Sequence, residues 1–235
     1  MTDWKRRCES LQQELSQLVH AVSHDLRAPL RAADGFSRVL LARNAANLDA
    51  EAQDYLQRIR AATAQMGSHI EALVRLARIT TAEVRPQQID LGAVARGIVD
   101  ELQAASPQRL VEVRIAEGLE VEGDLPLVKM LLECLLGNAW KFTRQRATAE
   151  IELGRKQEGG ETVYSVRDNG AGFDMSYARH LFEPFSRLHS GDEFEGVGIG
   201  LALARRIVHR HGGRIEGTAV VEEGATFSFT MGELS

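Results

Sequence analysis

Two runs of residues spaced alternately three and four positions apart set the character of the first third of this chain. Leu11, Leu15, Leu18 and Val22 form one run; Leu56, Ile59, Met66, Ile70, Leu73 and Ala77, with Thr63 in register, form the other. Such spacing draws one apolar stripe along an α-helix and suits packing against further helices. Between the runs, Asn44-Ala45-Ala46-Asn47-Leu48-Asp49 reads as a turn, with Asp49 placed to cap the second helix. The expectation is an antiparallel helical hairpin. A lone hairpin cannot cover a full apolar stripe, so two copies are expected to join as a dimeric four-helix bundle; the alternative is one hairpin packed on its own C-terminal domain. Pro29 falls inside the first helix and is expected to kink or loosen it.

The helical period stops near Arg85-Pro86-Gln87-Gln88. This places a domain boundary there, with a coiled-coil lead and hairpin over 1–84 and a second domain over 85–235. The second domain mixes elements. Strands are expected at Val111–Ile115, Ala149–Leu153, Thr162–Arg167, Gly213–Thr218 and Thr226–Met231, and helices at Leu91–Ala104, Leu125–Phe142 and Ile199–His211. Helices among mostly hairpin-linked strands predict an α/β sandwich with its helices on one face. The fold class is therefore α + α/β. The glycine-rich, charged stretch from Ser190 to Gly200 reads as a loop.

The chain has 235 residues, 44% hydrophobic and 26% charged, which is ordinary for a globular protein with real cores. A net charge of −5 gives no reason to expect nucleic-acid binding. The apolar stretch around Met130–Leu136 is broken by Glu133, and nothing approaches the roughly 20 apolar residues of a membrane span. Cys8 and Cys134 make neither a disulfide framework nor a metal-binding spacing and fit a reducing cytoplasm, the expected location.

Four segments carry chemistry. His24-Asp25 sits on the first helix, about 200° around from Val22 and so away from the apolar stripe. A neutral imidazole is a competent nucleophile, and a neighbouring carboxylate can hold its other ring nitrogen. On the expected helix Leu125–Phe142, Asn138 and Lys141 lie three apart on one face. An amide oxygen suits Mg²⁺, and an ammonium suits phosphate. Asp168-Asn169-Gly170-Ala171-Gly172-Phe173 follows a strand; a carboxylate there can accept a hydrogen bond from an exocyclic amine while the glycines let backbone approach a flat base, although a plain Asn-Gly turn reads the same way. Gly196-Val197-Gly198-Ile199-Gly200-Leu201 leads into a helix and offers amides to an anion, yet it has neither the preceding strand of a dinucleotide fold nor the Gly-Lys-Ser/Thr of a P-loop.

In this order the segments resemble the sensor histidine kinase family, including kinases of the phytochrome-associated kind. His24 stands in its phosphoacceptor box, Asn138 in its Asn box, Asp168–Gly172 in its first glycine box, Phe182-Glu183-Pro184-Phe185-Ser186-Arg187 in its Phe box, Gly196–Gly200 in its second glycine box, and Gly224-Ala225-Thr226-Phe227 in its last glycine element. The resemblance implies a dimerisation and phosphotransfer hairpin joined to a Bergerat-type ATP-binding domain. It implies ATP and Mg²⁺ as cofactors, His24 and Asp25 as catalytic, Asn138 as metal ligand, and Asn138, Lys141, Phe142, Asp168, Gly170, Gly172, Arg187, Gly196, Gly198, Gly200, Leu201 and Thr226 as nucleotide-binding. Its partners would be a second copy through the hairpin, a response-regulator receiver domain, and an upstream sensor domain or sensor protein.

Two positions depart from the family pattern. Cys134 stands where a second Asn is usual, one helical turn before Asn138, and where related gyrase-type ATPases carry a catalytic Glu. Ala28 stands where phosphatase-competent members place Thr or Asn, so phosphatase activity is expected to be weak. Competing readings are a gyrase- or chaperone-like ATPase and a nucleotide-binding module without turnover. Of the other histidines, His20 and His69 are expected on solvated helix faces, His209 and His211 beside a helix end, and His180 and His189 flanking the Phe box.

Overall fold

The computed structural model describes residues 3–81, 83–186 and 196–232. The chain divides into two compact units, Met1–Thr81 and Ala82–Ser235.

The first unit is a helical hairpin of α1 (Asp3–Asn44) and α2 (Ala50–Thr81), joined through a single 3₁₀ turn at Ala45–Asn47. Asp49 caps α2 by accepting the Ala52 N–H at 2.7 Å. The Gln53 side-chain amide closes the connection by donating to the carbonyls of Ala45 and Leu48. Helix α1 runs through Pro29. The proline nitrogen has no hydrogen to give, so the carbonyl of Asp25, four residues earlier, loses its helical donor.

The seam of the hairpin is small and polar. Ser23, Ser37, Thr63, Ile70 and Val74 are buried. The Ser37 and Thr63 hydroxyls are satisfied by carbonyls of their own helices, Ala33 and Arg60. Arg60 reaches across to Asp34 at 2.9 Å. The large apolar residues face outward instead: Leu11, Leu15 and Leu18 are each 59% exposed and Phe36 71%. An apolar face of this size on a helix pair marks an interaction surface.

The second unit is two-layered. Its sheet has the order β2-β4-β5-β7-β6, from β2 (Val111–Ile115), β4 (Ala149–Glu158), β5 (Glu161–Asp168), β6 (Ile215–Val220) and β7 (Gly224–Thr230). Only β2 and β4 run parallel. A separate pair, β1 (Gln87–Asp90) and β3 (Glu120–Gly123), aligns Ile89 with Val121. Helices α3 (Leu91–Ala105), α4 (Leu125–Phe142) and α5 (Gly200–Arg210) complete the unit. Strands β1 and β3, and a 3₁₀ turn at Met175–His180, are additions to the sequence reading; the two strands are four residues long and half polar, too short for a period to register. Strand β4 runs five residues past its expected end, because its polar tail is held in register by β5 rather than by burial.

The core lies between helices and sheet. Register places Ile151 and Leu153, Val166 and Tyr164, and Phe227 and Phe229 on one face. Against them α4 buries Leu127, Val128, Leu131, Leu132, Leu135, Leu136, Ala139 and Trp140. Each fully buried leucine contributes about 1.5–3 kcal/mol. Period two then carries one polar group onto that apolar face. Asp168 ends β5 opposite Ile151 and Ala225, on the same side as Val166.

Both ends of α4 are fixed by side chains. Asp124 accepts the Leu127 N–H at the start. At the other end Arg109 donates to the Trp140 carbonyl at 2.6 Å and to the Thr143 hydroxyl, with its guanidinium 5.0 Å from the Trp140 ring centroid. Arg109→Ala is expected to destabilise this unit by about 2 kcal/mol, since a charged hydrogen bond and a cation–π contact are both lost. Chemical denaturation measures it. Arg109→Lys should recover part of the loss, because an ammonium keeps the charge but not the two-pronged geometry.

Candidate active site

The second unit encloses a cavity of about 270 Å³ between α4, the sheet and the segment leading into α5. Asp168, Ala225 and Phe227 form its sheet wall, Phe173 and Leu181 add apolar surface, and Asn138, Lys141 and Phe142 project from α4. Gly196, Gly198, Gly200 and Leu201 close the remaining side. Thus most of the residues singled out from sequence come together here: Asn138, Lys141, Phe142, Asp168, Gly172 and the glycine segment.

Two of the described ones do not line it. Gly170 lies behind the wall, where its N–H donates to Asp168 Oδ1 at 2.8 Å. Thr226 faces away, because Ala225 and Phe227 take the cavity side of β7 and the residue between them shares the outer face with Arg167. Arg187 lies outside the described residues, as does His189. The lining also includes Phe173, Leu181, Ser186, Val197, Ile199, Ala225 and Phe227, none named from sequence as binding residues. The alternation of β7 held the signal for Ala225 and Phe227.

Asp168 is only 5% exposed. Burial pushes its carboxyl up to about 6, against the pull of backbone N–H groups of Gly170 and Ala225, which favour the charge. Two glycines make this geometry possible. At Gly224 φ is +120°, and a Cβ would stand 1.9 Å from the Asp168 carbonyl; at Gly172 φ is +61°, and a Cβ would stand 2.0 Å from that of Val220. Any side chain at either position would push β5 and the β6–β7 turn apart.

The opposite end is cationic. The Lys141 ammonium lies 4.1 Å from the Phe142 ring centroid, and a Cβ added to Gly196 would come within 3.5 Å of it. Helix α5 starts at Gly200, whose Cβ position is 3.9 Å from both the Asn138 amide nitrogen and Cys134 Cβ. Helix-terminal amides, an ammonium and an amide thus converge where an anion could sit. Phe185, with φ +65°, donates its N–H to the Gly198 carbonyl at 2.8 Å and so ties the Phe-box segment to the glycines. Among the described residues no three His, Cys, Asp or Glu side chains are grouped for a metal. The Asn138 amide oxygen fits Mg²⁺, which takes few protein ligands and completes its shell with water and phosphate.

On the hairpin, His24 and Asp25 are each 84% exposed at the side chain, and the imidazole Nδ1 is 3.3 Å from Asp25 Oδ1. Donation from Nδ1–H leaves Nε2 with its lone pair facing solvent. His20, one turn earlier, is exposed and bonds Ser16 and Arg78. His211 stands at the C-terminal end of α5, as expected, but its side chain is part of the core. It is fully buried, donating Nδ1–H to the Ile207 carbonyl at 2.8 Å and accepting the Asp124 N–H at 3.1 Å.

These two parts define a phosphoacceptor hairpin joined to an ATPase-type α/β unit. Residues 14–82 match the His Kinase A (phospho-acceptor) domain, and residues 123–234 match the histidine kinase-, DNA gyrase B-, and HSP90-like ATPase family. The chain thus carries both the phosphoacceptor and the ATPase domain, and its relatives are histidine kinases. It is 30% identical over 226 residues to cyanobacterial phytochrome A of Nostoc sp., which covers 93% of this chain and 28% of that protein. It is 32% identical to the methanogenesis regulatory histidine kinase FilI of Methanothrix harundinacea, over 95% of this chain and 25% of that one. The chain thus spans about a quarter of the length of these curated relatives. Full-length ShkA in complex with AMPPNP shares the fold at a TM-score of 0.63 and 23% identity, covering 93% of this chain and 47% of that one. The Acinetobacter baumannii histidine kinase AdeS does so at 0.61 and 17%, covering 90% and 98%. No described helix is long and apolar enough to cross a membrane.

Proposed function

We propose that this chain is the transmitter of a two-component sensor histidine kinase, with residues 1–84 as the dimerisation and phosphotransfer part and 85–235 as the ATP-binding part. The observation that carries this reading is the polarity of one cavity: a buried carboxylate at one end, and an ammonium with a helix N-terminus at the other. That is the complement of an amine-bearing base and a polyphosphate. Asp168 accepts the adenine amine, the apolar wall of Phe173 and Phe227 takes the ring, and Lys141 and the start of α5 neutralise phosphate charge. Asn138 holds Mg²⁺, which when bound draws off charge from the phosphate oxygens.

The reaction follows from the tautomer. His24 Nε2 places its lone pair on the γ-phosphorus, the bond between that phosphorus and the β–γ bridging oxygen breaks, and ADP leaves. The ring becomes cationic and keeps its Nδ1 proton, which Asp25 stabilises. The phosphoryl group then passes to an aspartate of a receiver domain, in the cytoplasm. The exposed leucine stripe of α1 supports a homodimer. Ala28 presents a methyl group where a water-orienting side chain would be needed, which supports weak phosphatase activity.

Incubation with γ-labelled ATP and Mg²⁺ tests the reading. Protein label that survives base and is lost in acid is expected. Free phosphate without protein label would make the chain a plain ATPase, and neither product would leave it a nucleotide-binding module.

A further inference from the structure

Arg146 lies in the connection between α4 and β4 and is not among the residues lining the cavity. Its guanidinium nevertheless holds three main-chain carbonyls from two loops. Nε donates to the Asn169 carbonyl at 2.8 Å, Nη2 donates to that of Gly170 at 3.0 Å, and Nη2 also donates to that of Glu222. The Glu222 carboxylate stands 3.5 Å away. One loop follows directly on Asp168, the last residue of β5. The other is the β6–β7 turn, which leads into Gly224-Ala225.

Gly170 on the first loop and Ala225, on β7 just past the second, supply the backbone N–H groups that bond the Asp168 carboxylate. Everything around the clamp is also fastened. Asn169 accepts the Glu150 N–H at 2.9 Å and donates to Thr148. The Ala171 N–H bonds Phe142, and the Glu222 N–H bonds Ala171 at 2.8 Å. Glu222 itself sits at φ +64°, a left-handed conformation that a glutamate keeps only when the turn is held. A planar guanidinium is suited to this task, since its fixed fork reaches several carbonyls at once and an ammonium does not.

We infer that Arg146 is a positioning residue for base recognition, setting the aim of the Asp168 carboxylate through the two loops it joins. This rests on the reading of Asp168 as the acceptor for the adenine amine. Loss of the clamp then weakens recognition of the amine and leaves phosphate recognition by Lys141 and α5 in place.

The experiment uses the full chain with Mg²⁺ and compares binding of ATP with that of inosine triphosphate, which has an oxygen in place of the amine. The wild-type protein is expected to favour ATP by about 30-fold, the range of one charge-assisted hydrogen bond. In Arg146→Met the ATP affinity falls roughly tenfold, the inosine triphosphate affinity stays within about threefold, and the ratio contracts. Arg146→Lys shows the same contraction in smaller measure and carries the comparison if the methionine variant does not fold. An equal loss for both nucleotides, or no change for either, overturns the inference and makes Arg146 a general structural group. A wild-type protein with no preference between the nucleotides overturns the reading of Asp168, and the inference with it.

Discussion

His24→Ala is expected to abolish acid-labile phosphorylation while leaving ATP affinity and thermal stability unchanged. The separation follows from where the residue lies. Its imidazole is 84% exposed, and its bond to Asp25 is a long surface contact at 3.3 Å. Exposed pairs of this kind contribute about 0–1 kcal/mol, and alanine is the better helix former by a few tenths, so the two changes nearly cancel. The nucleotide cavity is built wholly from residues 138–227, in the other compact unit. Labelling with γ-labelled ATP, nucleotide titration and thermal melting, run side by side, check the three parts. Label persisting in the variant would place the phosphoacceptor elsewhere. A companion Asp25→Asn should keep a hydrogen-bond acceptor for Nδ1–H and lose the charge that offsets the cationic ring, slowing labelling by at least about tenfold.

What could be read ahead of the structure was what short-range pattern encodes. Helix α4 falls on its expected limits because Asp124 announces its start and a dense apolar run fills it. The hairpin turn was legible because Asp49 caps locally, three residues from its partner. The cavity residues were legible where the chemistry is concentrated in one segment, as at Asp168 and Gly172. Thr226 was named by resemblance alone, whereas the strand's period gives the cavity to Ala225, whose methyl carries no chemical signal. The burial of His211 and the clamp of Arg146 were beyond local pattern. Among their partners are residues 87 positions away for His211 and up to 76 for Arg146, brought near only when the sheet and helices assemble. The same holds for β1 and β3, whose register exists only as a pairing with each other.

Asp168→Asn is expected to move binding and stability in opposite directions. In the wild-type chain the folded state holds the Asp168 proton up to about pH 6, whereas an unperturbed carboxyl releases it near 3.8. The folded state therefore binds this proton more tightly than the unfolded chain does. The associated stability is fully present below about 3.8 and is lost as pH rises through about 6, so at pH 7.5 the buried charge costs roughly 3 kcal/mol. A neutral asparagine carries no such charge, and the ligand-free variant should melt at higher temperature at pH 7.5 than the wild-type protein. Its ATP affinity should fall about 100-fold, because its one oxygen must serve the Gly170 and Ala225 N–H groups as well as the base amine, and its NH₂ faces donors. The wild-type affinity should be level above pH 7 and decline below 6, by nearly tenfold per unit, as the carboxylate acquires a proton and can no longer accept on that oxygen. The triphosphate titrates in the same region, so the variant supplies the reference: its pH dependence reports the nucleotide alone, and the difference between the two curves belongs to Asp168. Parallel curves, or an asparagine variant that binds ATP as well as the wild type, would show that this carboxylate does not read the base.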